Sequence, residues 1–94
     1  MDSSVTVYGA DWCADSIRAA KRLRALDVGF HYVNVDADPM GSEEVRELNN
    51  GNIKLPTVVV EGRGTRILAV PTDVELCQAL VETNILANPP TSAS

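Results

Sequence analysis

The chain has 94 residues, 45% of them apolar, and a formal net charge of −5 at pH 7. This length fits one domain with a modest core. The negative charge argues against binding to nucleic acid or to an anionic membrane surface, since both need clustered cations. No apolar run approaches the ~20 residues of a membrane span, and residues 1–4 lack the basic and apolar regions of a secretory signal. We therefore expect a cytoplasmic protein.

The amino-terminal half of the chain predicts two strands around a helix. Residues 5–8 alternate and are rich in β-branched and aromatic side chains, which is typical of a strand. Residues 14–26 carry an apolar stripe at helical spacing, and Gly29 is predicted to cap this helix in the left-handed conformation. Residues 30–36 predict the second strand. Because one helix with short loops joins them, the two strands should be parallel.

The middle of the chain predicts a second helix followed by a hairpin. Asp38 as N-cap and Pro39 at the first helical position begin this helix, which should end near residues 49–51. Residues 57–60 and 65–70 predict two strands. A glycine-containing turn joins them, so they should be antiparallel.

A third helix and a polar tail complete the chain. Thr72 and Glu75 have the spacing of a capping box, and the helix that they begin should run to about Ile85. A disordered polar tail is predicted for residues 87–94, after a domain of residues 1–86. The element order βαβαββα predicts an α/β fold, a four-stranded mixed sheet with helices on both faces.

Two cysteines, Cys13 and Cys77, and a single histidine limit the chemistry available. Two widely spaced cysteines do not make a disulfide scaffold. A structural zinc site needs four Cys or His ligands, so the counts exclude one built from this chain alone. We predict no metal site and no tightly bound cofactor.

Cys13 occupies the position where reactive thiols are found. It lies at the end of a strand-to-helix loop, as the N-cap or first residue of the helix, where free N–H groups and the helix dipole favour an anion. The thiolate is the nucleophilic form of cysteine. Arg18 and Lys21 add a weaker positive field along the same helix, whereas the carboxylate of Asp15 opposes the thiolate.

Three segments together resemble one protein family. The strand at residues 5–8 and the motif Trp-Cys-x-x-Ser at residues 12–16 resemble the active-site segment of the glutaredoxin and thioredoxin superfamily. Residues 49–58, with their Leu-Pro-Thr, are similar to the approach to the cis-proline in actinobacterial mycoredoxins. Residues 70–73 resemble the loop with which glutaredoxins hold the γ-glutamyl end of glutathione. This resemblance covers residues 5–85 and implies a thioredoxin-like (glutaredoxin) fold.

The resemblance also implies a function, thiol–disulfide oxidoreduction. Cys13 would be the nucleophile that attacks mixed disulfides, with a low-molecular-weight thiol, mycothiol or glutathione, as resolving reductant and with protein mixed disulfides as substrates. A monomer is expected. A cis peptide bond at Pro56 would turn the backbone of Leu55 toward a bound thiol substrate, which could pair with it like an added strand. The implied thiol-binding residues are Trp12, as lid or rim aromatic, Lys54, Leu55, Pro56, Thr72 and Asp73.

Two positions depart from the family pattern. The second cysteine of a C-x-x-C motif is Ser16 here, which cannot resolve a mixed disulfide but could donate a hydrogen bond to the Cys13 thiolate. Two explanations stay open, a natural monothiol site and an engineered replacement that traps mixed disulfides. The lysine that often precedes the cysteine is also missing, so Lys54 is the remaining candidate for binding a carboxylate of the small thiol.

Other assignments remain open at this stage. Cys77 is predicted to be a core residue, with resolution of Cys13 as the alternative. His31 is expected to be structural, and the basic face at residues 18–24 is either a solvated face or a dock for an acidic partner. Two other functions compete with the oxidoreductase, a monothiol iron–sulfur carrier and a partner module without catalysis.

Overall fold

The seven predicted elements are all present in a computed structural model, which describes residues 3–86. They are β1 (Ser4–Gly9), α1 (Ala14–Ala25), β2 (His31–Asn34), α2 (Pro39–Leu48), β3 (Thr57–Gly62), β4 (Gly64–Ala69) and α3 (Asp73–Glu82). The predicted order βαβαββα is therefore confirmed. The tail predicted at residues 87–94 lies outside the described residues.

The four strands form one mixed sheet in the order β2-β1-β3-β4. The β1 and β2 strands are parallel, with Tyr8 opposite Val33, and α1 is the crossover between them. The β3 strand runs antiparallel to both β1 and β4. The predicted parallel pair and the predicted hairpin are both confirmed. The parallel pairing places the loop after β1, which carries Cys13, at the same edge of the sheet as the end of β2.

Helices cover both faces of this sheet because successive strand residues point to opposite sides. Val7 is fully buried in a cluster with Leu23 of α1 and Leu76 of α3. Its neighbour Tyr8 faces the other way, towards α2. Burial raises the pKa of the Tyr8 phenol, and the Glu44 carboxylate of α2 adds to this shift. The core therefore lies between the sheet and the α1–α3 pair, and α2 covers the opposite face.

The end of α1 differs from the prediction. Asp27, not Gly29, adopts the left-handed conformation, with φ of 60°. The Val28 N–H donates to the Leu23 carbonyl at 2.9 Å, and the Asp27 N–H donates to Arg24 at 3.0 Å, which is a Schellman motif. Burial of Val28 beside Leu23 fixes this register, and aspartate tolerates the left-handed region better than most residues.

The third helix also ends earlier than predicted, at Glu82 rather than near Ile85. Asn84 has φ of 64°, and the Ile85 N–H donates to the Leu80 carbonyl at 2.9 Å, so a second Schellman motif closes this helix. Within residues 3–86, every helix is too short or too polar to cross a membrane.

Candidate active site

Cys13 is the N-cap of α1, as the sequence predicts. Its carbonyl accepts the Ile17 N–H at 3.1 Å, and its own N–H donates to the Ala10 carbonyl at 3.1 Å. The side chain is half-buried and makes no capping hydrogen bond. The backbone is thus fixed, while the thiol stays accessible at the positive end of the helix dipole.

A backbone carbonyl from a distant segment lies beside the thiol. The distance from Cys13 Sγ to the Leu55 carbonyl oxygen is 3.8 Å, and the Leu55–Pro56 peptide bond is cis. Pro56 is buried, and its carbonyl accepts the Val70 N–H at 2.8 Å. The structure therefore brings Cys13 and Leu55 together and links the following prolyl residue to the end of β4.

The Ser16 side chain lies in the protein interior, without exposure to solvent. It is fully buried, its Oγ accepts the Ala10 N–H at 3.4 Å, and its Oγ and the Tyr32 hydroxyl both lie beside Gly9. Burial is the main cause of a raised pKa at Tyr32, and the Asp11 carboxylate adds to it, whereas the neighbouring Ser16 hydroxyl lowers that pKa. Within residues 3–86, the observed hydrogen bond of Ser16 Oγ is to the Ala10 backbone, and none is to Cys13 Sγ.

Gly9 leaves the space that Ser16 and Tyr32 occupy. A Cβ atom at this position would lie 2.7 Å from Ser16 Oγ, 2.7 Å from Tyr32 Oη and 2.8 Å from Ser16 Cβ. The strand that leads to the cysteine loop therefore needs a residue without a side chain at its last position.

Arg18 connects α1 to the loop at residues 71–73. Its Nη1 donates to Asp73 Oδ1 at 2.7 Å and its Nη2 donates to the Pro71 carbonyl at 3.1 Å. Its Nη2 also lies 3.6 Å from Asp15 Oδ1. The spacing of Asp15 and Arg18 could have indicated the local pair. No local signal indicates the pair with Asp73, because the fold alone brings these residues together.

The predicted capping box at the start of α3 is confirmed. The Glu75 N–H donates to Thr72 Oγ1 at 3.1 Å, and the Thr72 N–H donates to Glu75 Oε1 at 2.9 Å. The N–H and the hydroxyl oxygen of Thr72 thus already have partners in Glu75, and one oxygen of Asp73 accepts from Arg18.

Within residues 3–86, neither Trp12 nor Lys54 hydrogen-bonds to Cys13 Sγ. The indole of Trp12 is 71% exposed, and its Nε1 donates to Asp36 Oδ2 at 2.6 Å, which is the rim arrangement. Lys54 is exposed, and its side chain forms no ion pair within residues 3–86. Its carbonyl accepts the Thr57 hydroxyl at 2.6 Å, which shapes the turn before the cis bond.

Cys77 is buried in α3, as predicted for a core residue, and both cysteines are free thiols. Its Sγ lies 3.8 Å from Arg22 Nη2. His31 pairs with Thr6, three residues before the last residue of β1 and away from the cysteine loop. Within residues 3–86, no group of three or more His, Cys, Asp or Glu side chains could hold a metal ion.

The glutaredoxin family model matches residues 5–64, well over half of the chain. The chain belongs to the glutaredoxin family. Glutaredoxins are thiol–disulfide oxidoreductases that use a low-molecular-weight thiol as co-substrate. Mycoredoxin 1 of Corynebacterium glutamicum is 36% identical over 56 residues, which cover 60% of this chain and 68% of that protein. A Mycobacterium tuberculosis protein named as a glutaredoxin is 29% identical over 56 residues, covering 60% and 67%.

Two solved structures confirm the thioredoxin-like fold. A glutaredoxin from Archaeoglobus fulgidus superposes with a TM-score of 0.68 at 18% identity, covering 83% of this chain and 86% of that one. Mitochondrial thioredoxin 3 of Saccharomyces cerevisiae superposes with a TM-score of 0.56 at 20% identity, covering 90% and 79%. At these identities the likeness concerns the fold alone.

Proposed function

We propose that this glutaredoxin is a monothiol oxidoreductase in which Cys13 exchanges a low-molecular-weight thiol with mixed disulfides. The observation that carries the proposal is the position of the thiol. It is half-buried at the N-cap of α1 and free of capping bonds, and its Sγ lies 3.8 Å from the Leu55 carbonyl. A helix N-terminus stabilises the thiolate that exchange requires.

The exchange takes two balanced steps. The Cys13 thiolate attacks the small-thiol sulfur of a mixed disulfide, forms a new disulfide with it, and releases the substrate thiolate. A second molecule of the small thiol, as its thiolate, then attacks that sulfur. This step releases the symmetric disulfide of the small thiol and regenerates the Cys13 thiolate. Ser16 is buried next to the site and has no sulfur, so it cannot replace the second molecule.

The backbone around Leu55 is the proposed binding site for the substrate segment next to the disulfide. Its carbonyl already points to within 3.8 Å of the sulfur, and an extended substrate could pair with such a backbone edge. Arg18 donates to Asp73 at 2.7 Å, which links the helix that follows Cys13 to the start of α3. We propose that Thr72 and Asp73 bind the small thiol through the outer face of this loop, with Lys54 and Trp12 as further contacts.

Mycothiol and glutathione are the two candidate reductants. The Corynebacterium relative is named a mycoredoxin, which supports mycothiol as the first thiol to test. The family favours an oxidoreductase over the two alternatives raised from the sequence, the iron–sulfur carrier and the partner module.

Turnover of a small mixed disulfide, measured separately with mycothiol and with glutathione, tests this proposal. We expect the wild-type chain to turn over with at least one of the two thiols. Cys13→Ser should abolish turnover, whereas Cys77→Ser, the matched control for loss of a thiol, should retain it. Equal loss in both variants, or turnover that survives Cys13→Ser, would contradict the assignment.

The variant Ser16→Cys separates a monothiol enzyme from a trap. If the wild-type chain accumulates a stable Cys13 adduct that added thiol does not release, while Ser16→Cys turns over, the chain is not a monothiol catalyst. We expect release of the adduct by the second thiol molecule in the wild type.

A further inference from the structure

A groove runs along the outer side of α1, beginning next to the cysteine. Its volume is about 440 Å³, within the range of binding pockets. Its first residue, Ala14, directly follows Cys13. We call it the α1 groove, and it is lined by Ala14, Ile17, Arg18, Lys21, Arg22 and Asp73.

The cations of this acidic protein are concentrated beside the groove. Four of its eight Lys and Arg residues lie between positions 18 and 24, and no Asp or Glu occurs between positions 16 and 26. A local positive patch on a chain of net charge −5 favours a local acidic partner over an extended polyanion such as nucleic acid.

The four cations differ in the partners that they already have within the protein. Arg18 is paired with Asp73, and Arg24 packs over the ring of Phe30 at 5.5 Å and does not line the groove. Lys21 and Arg22 both line the groove, and neither makes an ion pair within residues 3–86. These two side chains are therefore available to a carboxylate from outside.

The lack of hydrogen-bond partners around Arg22 is a second observation that points to a carboxylate ligand. Its Nε is buried and has no hydrogen-bond partner in the part of the chain that the structure describes. Its Nη2 contacts only the weak acceptor Cys77 Sγ, at 3.8 Å. A half-buried guanidinium with so few partners gains more from a carboxylate than a fully solvated one does, since hydrogen bonds to charged groups are the strong ones.

We propose that the α1 groove binds an acidic segment of the protein substrate, with a carboxylate on Lys21 and Arg22. The inference rests on the proposed function, because it places this segment beside the cysteine whose mixed disulfide reacts with Cys13. Ile17, which is 42% exposed, offers an apolar contact between Cys13 and the Lys21–Arg22 pair.

The geometry sets the position of the acidic residue in the substrate. Lys21 and Arg22 follow Cys13 by eight and nine residues, which corresponds to about 12–14 Å along the helix axis. An extended segment advances about 3.3 Å per residue. The carboxylate should therefore lie about three to five residues from the reacting cysteine.

Matched peptides test the proposal. Each carries one cysteine as a mixed disulfide with the small thiol, and aspartates four and five positions to its amino or carboxyl side. The control peptides carry asparagines at the same positions. The quantity compared is the ratio of kcat/KM for the acidic peptide to that for its control. We expect a ratio of about 5–10 at low salt on at least one side, falling below about 2 at high salt.

Two charge reversals on the same helix identify the groove. Lys21→Glu should reduce the ratio to about one or less, whereas Arg24→Glu, with the same change in net charge, should leave it within about twofold. A ratio near one in the wild type, or equal loss in both variants, would overturn the proposal.

A binding measurement separates this inference from the proposed function. Fluorescence anisotropy gives Kd for the same peptides, with serine in place of cysteine, on the Cys13→Ser protein. Absent turnover with a persistent acidic preference in Kd would refute the proposed function and support the groove. Intact turnover with equal Kd values would refute the groove and leave the exchange chemistry standing.

Discussion

Substitution of Gly9 by alanine should destabilise the protein through the residues beneath the active site. An added Cβ would lie 2.7 Å from both Ser16 Oγ and Tyr32 Oη, about 0.7 Å short of the 3.4 Å at which ordinary contact begins. Ser16 is fully buried, so it cannot move into solvent to relieve this overlap. The clash must therefore displace the first turn of α1 or the end of β2.

Two contributions set the expected loss in the free energy of unfolding. Overpacking of a well-packed site costs about 1–3 kcal/mol, and weakening of the Ser16 hydrogen bond costs about 0.5–1.5 kcal/mol. We expect Gly9→Ala to lower the free energy of unfolding by about 2–3 kcal/mol. With a urea m-value of about 1–1.5 kcal/mol/M for a chain of this size, the midpoint should fall by roughly 2 M.

Gly29→Ala is the matched control. Gly29 has no atom within 4 Å of an added Cβ, and its φ is not positive. This substitution should be neutral or stabilise by up to about 1 kcal/mol, since it restricts the unfolded chain. Urea unfolding followed by circular dichroism measures both variants. If Gly9→Ala unfolds at the same urea concentration as Gly29→Ala, the packing argument for Gly9 is wrong.

Three further predictions concern the surroundings of the site. In a double-mutant cycle of urea unfolding, the coupling free energy between Arg18→Gln and Asp73→Asn should be only about 0.5–1 kcal/mol, because the two side chains are 39% and 45% exposed. Additive effects would show that this ion pair contributes nothing to stability. Burial is the main cause of the raised pKa of Tyr8 and Tyr32 in the folded state. Above a pH of about 10 the unfolded chain loses these protons more readily than the folded one, so stability should fall as pH rises. An equally steep fall in Tyr8→Phe and Tyr32→Phe would argue against this cause. Val70 has φ of 49°, a backbone conformation that costs a branched residue about 1–2 kcal/mol. Val70→Gly should therefore raise the free energy of unfolding by up to about 1 kcal/mol, even though glycine makes the unfolded chain more flexible. A lower thermal midpoint for this variant would contradict the prediction.

Local signals predicted the framework of the site. Asp38 accepts the N–H groups of Met40 and Gly41, both at 3.1 Å, as its N-cap position indicates. The capping box of Thr72 and Glu75 formed for the same reason, since all of its atoms lie within four residues. Such signals depend on neighbouring residues only, so a sequence carries them in full.

The contacts that complete the site are long-range and left no local trace. Arg18 and Asp73 are 55 positions apart, and their pairing depends on how α1 and α3 pack. The proximity of Ser16 and Tyr32, which both lie beside Gly9, likewise depends on the β1–β2 register. The left-handed cap at Asp27 differs from the prediction because glycine is the usual residue there, whereas burial of Val28 sets the register here.

The cis peptide bond before Pro56 was expected from family resemblance, not from residue preferences. Most X-Pro bonds are trans, so composition alone would have favoured the wrong isomer. The structure has the cis form and places the Leu55 carbonyl 3.8 Å from Cys13 Sγ.

Cys13 is the proposed nucleophile, and locating the adduct formed with a mixed disulfide tests this role. The wild-type protein is incubated with a mixed disulfide of the small thiol, quenched with acid, and analysed by intact mass and by peptide mapping. We predict one added thiol per chain, located on Cys13, with Cys77 unmodified because it is buried in α3. An adduct on Cys77 with Cys13 unmodified would contradict the account.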